Sequence, residues 1–358
     1  MTHRFTISTL TTLDPVLRSA VAMNLALDRG DTVVIHHDLV EDGIRRVVSD
    51  AFGIIESTTT ELEHTCLSCA IREDLIPALA HLQEQDRWAR ALVALPATAE
   101  SAPLTRALHD AARRRGPLEG ARLGAVVCAV DADTVADDAF SDDFLTDLGR
   151  ELIEGDERVL AEALAPMVAH ADLVALVSDG AVSEQARATV DHLRGRGSVV
   201  LESAAEELDG ERVMSTEHRC DRALGRIDPL RVDRHIAEDR AGVWTVELTT
   251  DRAFHPERLR EHIRDLGGHA VRTRGHFWIP SRPTEACAWD GAGRQVSVGS
   301  VGRWGRHPRG TRIVATGRGH ERAEIEAAFR DSLVLPGERV GATAAAHDAL
   351  EDWLGPKS

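Results

Sequence analysis

Short apolar, β-branched runs alternate with amphipathic runs through the first half of the chain. FTIST (5–9) predicts a strand and DPVLRSAVAMNLAL (14–27) a helix, with Pro15 suited to its first turn. TVVIHHDL (32–39) predicts the next strand. In IREDLIPALAHL, residues Ile71, Leu75, Leu79 and Leu82 recur at helical spacing, so a helix is expected to start near Ala70. RALVALPA (90–97), LGAVVCAV (123–130), ADLVALVS (171–178) and SVVLES (198–203) continue the strand series, with helical patterns between several of them. Apolar strands alternating with helices indicate a mainly parallel sheet covered on both faces.

From 206 to 240 the pattern breaks into polar and charged residues without a sustained period, expected as a polar connector between a first α/β domain (1–205) and a second unit (241–335). The second unit reads strand GVWTVELTT, helix HPERLREHIRDLG, strands around VRTRGHFWIP, EACAWD, RQVSVGS and TRIVATG, and helix HERAEIEAAFRDSL. That β-α-β-β-β-β-α order predicts a small α+β domain with its helices on one face of the sheet. Residues 336–358 are expected as a C-terminal tail.

Composition narrows the function. A chain of 358 residues suits two domains, and no run approaches the ~18–20 consecutive apolar residues of a membrane helix. The N-terminal residues lack the layout of an export signal, so a cytoplasmic location is expected. Five cysteines, an odd number and mostly far apart, argue against a disulfide framework. A net charge of −17 disfavours direct attraction to nucleic acid. Lys357 is the only lysine.

The lysine count bears on the first strand's exit. A phosphate-binding loop there would read GxxxxGK[ST], with glycines admitting phosphate to backbone N–H groups and lysine neutralising it. The chain reads LTTLDP (10–15), with no glycine and no lysine, and Asp14 makes an ordinary helix cap.

The segments TVVIHHDL, TELEHTCLSCAIREDLIPALAHL, CAVDADTV and HADLVALVSDG, together with FHPERLREHIRDLGGHAVRTRGHFWIPSRP and QVSVGSVGRW, resemble the CobW-type GTPases and metallochaperones. The resemblance spans roughly residues 5–205 and 241–333. Cys66 and Cys69 match the outer cysteines of the family's Gly-Cys-x-Cys-Cys segment, and Ser68 replaces the middle one. The chain is most similar to an actinobacterial branch with Cys-x-Ser-Cys and a degenerate first loop. That likeness implies a P-loop-NTPase-like sheet with degenerate nucleotide motifs and a CobW-type C-terminal domain. It also implies a zinc-linked chaperone or adaptor role with a protein partner, including recruitment of a hibernation factor to the ribosome under zinc starvation. LPATAESAP (95–103) has lost the glycine of the family's Glu-Thr-x-Gly stretch, and VSDGA (177–181) matches a guanine-reading motif poorly. Weak or absent binding of GTP and magnesium is therefore expected, although family members are GTPases.

Cys-x-x-Cys supplies two thiolates to a metal such as zinc from one turn of chain. His64 is a candidate third ligand, and His36 and His37, at the end of a neighbouring strand, are further candidates. Glu61 and Glu63 are oxygen alternatives. The same spacing also fits a redox pair at a helix N-terminus, or two small buried residues. Elsewhere, His218, Cys220, His235 and His255 lack tight spacing and are expected in packing or solvated roles. Asp131 is a candidate carboxylate at a strand end. Arg272, Arg274 and Arg282 are expected as ordinary surface charge, with a basic contact patch for an acidic protein or RNA as the alternative.

Overall fold

The computed structural model describes residues 4–40, 43–61, 67–204, 207–338 and 350–355, the side chains of 67–70 excepted. The first domain is built on an eight-stranded sheet: β1 (Thr6–Thr11), β2 (Thr32–Val40), β3 (Gly43–Asp50), β4 (Gly53–Thr60), β5 (Arg90–Ala94), β6 (Arg122–Asp131), β7 (Leu173–Val177) and β8 (Val199–Ser203). The order is β4-β3-β2-β5-β1-β6-β7-β8, parallel from β2 to β8 and antiparallel through the β2-β3-β4 edge. Every residue of β1 is buried between its neighbours, as expected for a central parallel strand.

Helices cover both faces. Alternation along β2 sends Val34 against α1 (Pro15–Asp28), and sends Val33 and Ile35 into the layer formed with α2 (Leu67–Glu84) and α3 (Ser101–Ala111). In α2 the stripe Ile71, Leu75, Leu79 and Leu82 is buried, the face its spacing predicted. The hairpin β3–β4 has no counterpart in the sequence pattern. All eight residues of β4 are exposed, so its conformation comes from pairing with β3 and not from burying an apolar face.

The stretch 206–240, expected to lack regular structure, contains α7 (Gly210–Ser215) and α8 (Cys220–Ile227), following α4 (Val135–Asp138), α5 (Leu160–His170) and α6 (Glu184–Leu193). These are two short helices of six and eight residues, too short to register as a sustained period. Helix α8 carries Arg226, buried against the N-terminal end of β7. Its guanidinium donates to the carbonyls of His170 (3.0 Å) and Ala171 (2.8 Å) and to the Asp172 carboxylate (3.2 Å). Gly195 lies where Arg226 passes, and a Cβ there would stand 2.2 Å from its Cδ. His218 Nδ1 pairs with the other Asp172 oxygen at 2.7 Å, and Ser101 Oγ meets His170 Nδ1 at 2.8 Å. The His170 and His218 rings lie 5.5 Å apart, and neither Nε2 finds a partner among the described residues. This is a sealed polar cluster where the 206–240 stretch packs on the first domain.

The second domain is a five-stranded antiparallel sheet in the order β12-β11-β10-β13-β9, formed by β9 (Trp244–Thr250), β10 (Arg272–Phe277), β11 (Glu285–Ala292), β12 (Gln295–Arg303) and β13 (Thr311–Gly317). Helices α9 (Pro256–Gly267) and α10 (Arg322–Asp331) share an apolar cluster with Phe254, Phe277 and Trp289, so these aromatics are core. The opposite face meets the first domain. Arg274 donates to the Arg226 carbonyl at 3.1 Å in the last turn of α8, where the helix dipole favours a cation, and His276 Nδ1 reaches the Pro229 carbonyl at 2.9 Å. Arg272 is clamped to Asp290, and Arg282 lies beside Glu285. The expectation of surface arginines is thus corrected: Arg272, Arg274 and Arg282 are all buried, two at the joint and one inside the domain.

Candidate functional site

In an open parallel sheet, ligands meet the carboxyl ends of the strands, here the ends of β1, β2, β5 and β6. At the exit of β1, Asp14 caps α1. Its Oδ1 accepts from the N–H groups of Val16 (2.6 Å) and Leu17 (3.1 Å), so a carboxylate holds the donors a phosphate would need. Thr98, with φ of +67°, donates its N–H to the Thr12 carbonyl at 3.0 Å and ties LPATAE to this loop. The remaining cavity, about 70 Å³, is lined by Asp14, Asp131 and Asp138 with Arg150 as the cation, and burial raises the Asp138 carboxyl above its ordinary value. Such a space is small and its lining acidic, the wrong shape and sign for a triphosphate.

The end of β2 is different. Strand alternation sends His36 and His37 to opposite faces. His36 faces α1, where burial, then the nearby Arg18 charge, lower its pKa. Arg18 itself, buried in α1, donates to the carbonyls of His37 (3.2 Å) and Leu95 (3.0 Å) and pairs with Asp38, fixing the ends of β2 and β5. His37 faces α2 and is fully buried. Its Nε2 meets Asp74 Oδ2 at 2.8 Å, while its Nδ1 finds no partner among the described residues.

Asp74 is shared. Arg46 of β3 donates to its Oδ1 at 2.6 Å and reaches Glu56 of β4 at 2.6 Å with the other guanidinium nitrogen. Burial works against the Asp74 carboxylate, but the hydrogen bond from His37 and the Arg46 charge outweigh it and hold its pKa below the usual carboxylate range. For Glu56, the Arg46 hydrogen bond has the same effect. Beside this network an open cleft of about 880 Å³ runs between the β3–β4 hairpin and α2, lined among others by Arg46, Glu56, Glu61, Glu73, Asp74 and His81.

The predicted ligands therefore divide. His64, Cys66 and Glu63 fall outside the described residues; Cys69 lies in the first turn of α2, its side chain likewise outside them. Asp74 follows Cys69 by five residues, about 7.5 Å along the helix axis. Of the two strand histidines, only His37 is on the α2 side. Among the described residues no group of three or more His, Cys, Asp or Glu is arranged to hold a metal. Cys128, Cys220 and Cys287 are buried, and burial pushes the Cys128 thiol up to about 12. Sequence reasoning overlooked Asp74, Arg46 and Arg18. A signal existed for Asp74: it stands three residues after Ile71, on the buried stripe, where a carboxylate requires partners.

A histidine held by a carboxylate through one nitrogen, with the other nitrogen unmet, is the arrangement that orients metal-ligating imidazoles. An imidazole nitrogen is a donor that zinc accepts.

The chain's relatives bear on the C-terminal fold and on the family. Residues 243–333 match the family described as the cobalamin synthesis protein cobW C-terminal domain. The chain is 30% identical over 291 residues to the zinc chaperone Rv0106 of Mycobacterium tuberculosis, covering 78% of this chain and 69% of that protein. It is 23% identical over 297 residues to the zinc-regulated GTPase metalloprotein activator 1 of Dictyostelium discoideum, covering 76% and 62%. Among solved structures, the Zn(II)-bound YjiA GTPase from E. coli is similar over 92% of this chain and 98% of its own, at 14% identity and a TM-score of 0.39. Among the described residues no helix is long and apolar enough to cross a membrane. The chain belongs to the CobW-type family of zinc chaperones and related GTPases.

Proposed function

We propose that this protein is a zinc-responsive metallochaperone or adaptor that takes zinc at the start of α2 through Cys66 and Cys69, with His64 and His37 as assisting ligands. The observation that carries the reading is His37: buried, fixed by Asp74, and left with a bare Nδ1 on the side of the sheet where α2 begins. Two thiolates and an assisting histidine make an incomplete set, which suits release of zinc better than a closed tetrahedral site. Nucleotide turnover forms no part of the reading, because the Asp14 carboxylate already holds the N-terminus of α1. The family likeness supports a protein client, extending to a ribosome-associated hibernation factor under zinc starvation. The arginines that would have formed a basic contact patch are buried, so contact with the ribosome would run through a protein.

Cobalt titration followed by visible absorption tests the metal site. The unaltered chain should develop thiolate charge-transfer bands, and Cys66→Ala and Cys69→Ala should each abolish them. Identical spectra from all three would end the proposal. Calorimetric titration with GTP and magnesium should show no binding; micromolar affinity with phosphate release would restore a GTPase. Affinity capture of the tagged protein from zinc-starved cells should retain a ribosome-associated factor and lose it in the double cysteine variant.

A further inference from the structure

Helix α1 is apolar on two sides. Its inner face, with Val21, Ala22, Leu25 and Ala26, is buried against the sheet. Its outer face is apolar as well: Val16, Met23 and Leu27 are 76%, 64% and 60% exposed, and Ala20 is exposed between them. The only charged side chain between Asp14 and Asp28 is Arg18, which is buried. Helix α9, of similar length, instead turns Glu257, Arg260, Glu261 and Arg264 outward. Helices apolar all round are normally covered all round, and contiguous exposed apolar surface marks a contact site. The four outer residues, spaced four, three and four apart, form a heptad seam about 16 Å long.

The chain itself does not cover this seam. Leu173, Ala175 and Val177 of β7 face the α1 side of the sheet, whereas Val174 and Leu176 face the other side, in the cluster that Ala270 of the second domain joins. Outside the described residues, 62–66, 339–349 and 356–358 are attached to α2 or to the second domain, across the sheet from the seam. The segments 1–3, 41–42 and 205–206 are too short to cover it, since three extended residues reach about 10 Å.

The seam is its own complement. In an antiparallel pair about a two-fold axis, Val16 faces Leu27 of the second copy and Ala20 faces its Met23. Each layer then sets a smaller side chain against a larger one. The helix dipoles run opposite ways, and Asp28 comes near the second copy's helix N-terminus, where a carboxylate is favoured. A net charge of −17 repels two copies in other orientations, but the seam carries none of that charge.

We propose that the outer face of α1 is a self-association surface, on which two copies of this chain pair antiparallel through Val16, Ala20, Met23 and Leu27. Four side chains a copy make a small interface, so the pairing is reversible. It stands apart from the zinc reading, since α2 lies on the opposite face of the sheet.

Sedimentation velocity of the full chain, with excess chelator so that no metal bridges copies, tests the pairing. Between about 1 and 100 μM the mass should rise from one chain toward two. Met23→Glu places a carboxylate in an apolar layer and Ala20→Arg a guanidinium, and each should weaken pairing at least about tenfold. Combined in one chain, the two substitutions face each other across the axis, so the double variant should recover the pairing that either alone loses. Val16→Glu repeats the single-variant test in the other layer. Ile236→Glu, at an apolar residue 82% exposed outside the seam, should change nothing. All these positions are exposed, so unfolding midpoints should hold, which separates lost pairing from lost folding. A chain still monomeric at about 100 μM would leave the seam to a different protein and overturn the proposal. So would pairing that survives Met23→Glu, or a double variant as weak as the single ones.

Discussion

Two histidine–carboxylate pairs stand at opposite ends of the same sheet. His37–Asp74 lies at the carboxyl end of β2; His218–Asp172 lies at the amino end of β7. Both histidines are buried, both carboxylates also engage an arginine, and in each ring the second nitrogen is unmet among the described residues. The surroundings separate them. Asp172 is enclosed: besides His218 and Arg226 it accepts the Val126 N–H at 3.0 Å, and the guanidinium beside it is locked by backbone carbonyls. Asp74 borders an open cleft and belongs to the helix whose first turn carries Cys69. Identical chemistry thus acts as a staple where the fold closes over it. Where a ligand can reach it, it becomes a candidate ligand shell.

The largest consequence falls on the sealed end, and it is a pH effect. Burial, with the neighbouring His218 adding to it, pushes His170 down to about 3. An unfolded histidine titrates near 6.5, so the unfolded chain takes up this proton first as pH falls. The stability from His170 is therefore complete above about pH 6.5 and drains away toward pH 3, amounting to about 5 kcal/mol in all. Urea unfolding at a series of pH values should show that slope, and His170→Gln should flatten it. An unchanged slope in the variant would remove His170 as its source.

Arg226→Met tests the same staple at fixed pH. It keeps most of the volume but strips Asp172 of its cation and frees the carbonyls of His170, Ala171 and Arg196, for an expected loss of about 3–5 kcal/mol in urea unfolding. Asp74 borders an open cleft, so its loss should cost less. An equal loss from Asp74→Ala would erase the distinction between the two ends.

Much of this contrast was hidden from the sequence, for definite reasons. The strands of the parallel sheet, and the strands and two long helices of the second domain, were legible because burial on two faces, or on one, writes a period into the chain. The β3–β4 hairpin was not, because β4 buries nothing. His36 and His37 looked equivalent as neighbours, and only strand alternation onto opposite helical layers tells them apart. The arginines at 272, 274 and 282 read as surface because charge in a strand usually is; the Asp290 carboxylate and the Arg226 carbonyl, distant in sequence, and the nearby Glu285 carboxylate explain their burial. Asp172, Arg226 and His218 likewise meet only through the fold.

The comparison sharpens most directly with zinc. His37→Ala should reduce zinc affinity by about 10- to 100-fold, the usual range when an imidazole ligand or its support is lost, as read by competition with a chromophoric chelator. His218→Gln, altering the equivalent pair at the closed end, should leave affinity unchanged while lowering the unfolding midpoint. The reverse pattern would move the metal to the amino end of the sheet.

The smallest effect belongs to Glu56. It extends the His37–Asp74–Arg46 network outward, with Arg46 at 2.6 Å and the Thr58 hydroxyl at 2.8 Å, yet its side chain is 45% exposed. Water and salt screen such a pair, and exposed ion pairs contribute about 0.2–1 kcal/mol. Glu56→Gln keeps the hydrogen-bonding shape and removes the charge, so unfolding should shift by no more than about 0.5 kcal/mol, and the shift should vanish in high salt. Zinc affinity should not change, because Arg46 keeps its bond to Asp74, and Asp74 keeps His37 in place. A large loss of zinc on this one substitution would mean that the outer carboxylate, and not His37, is the group on which the metal depends.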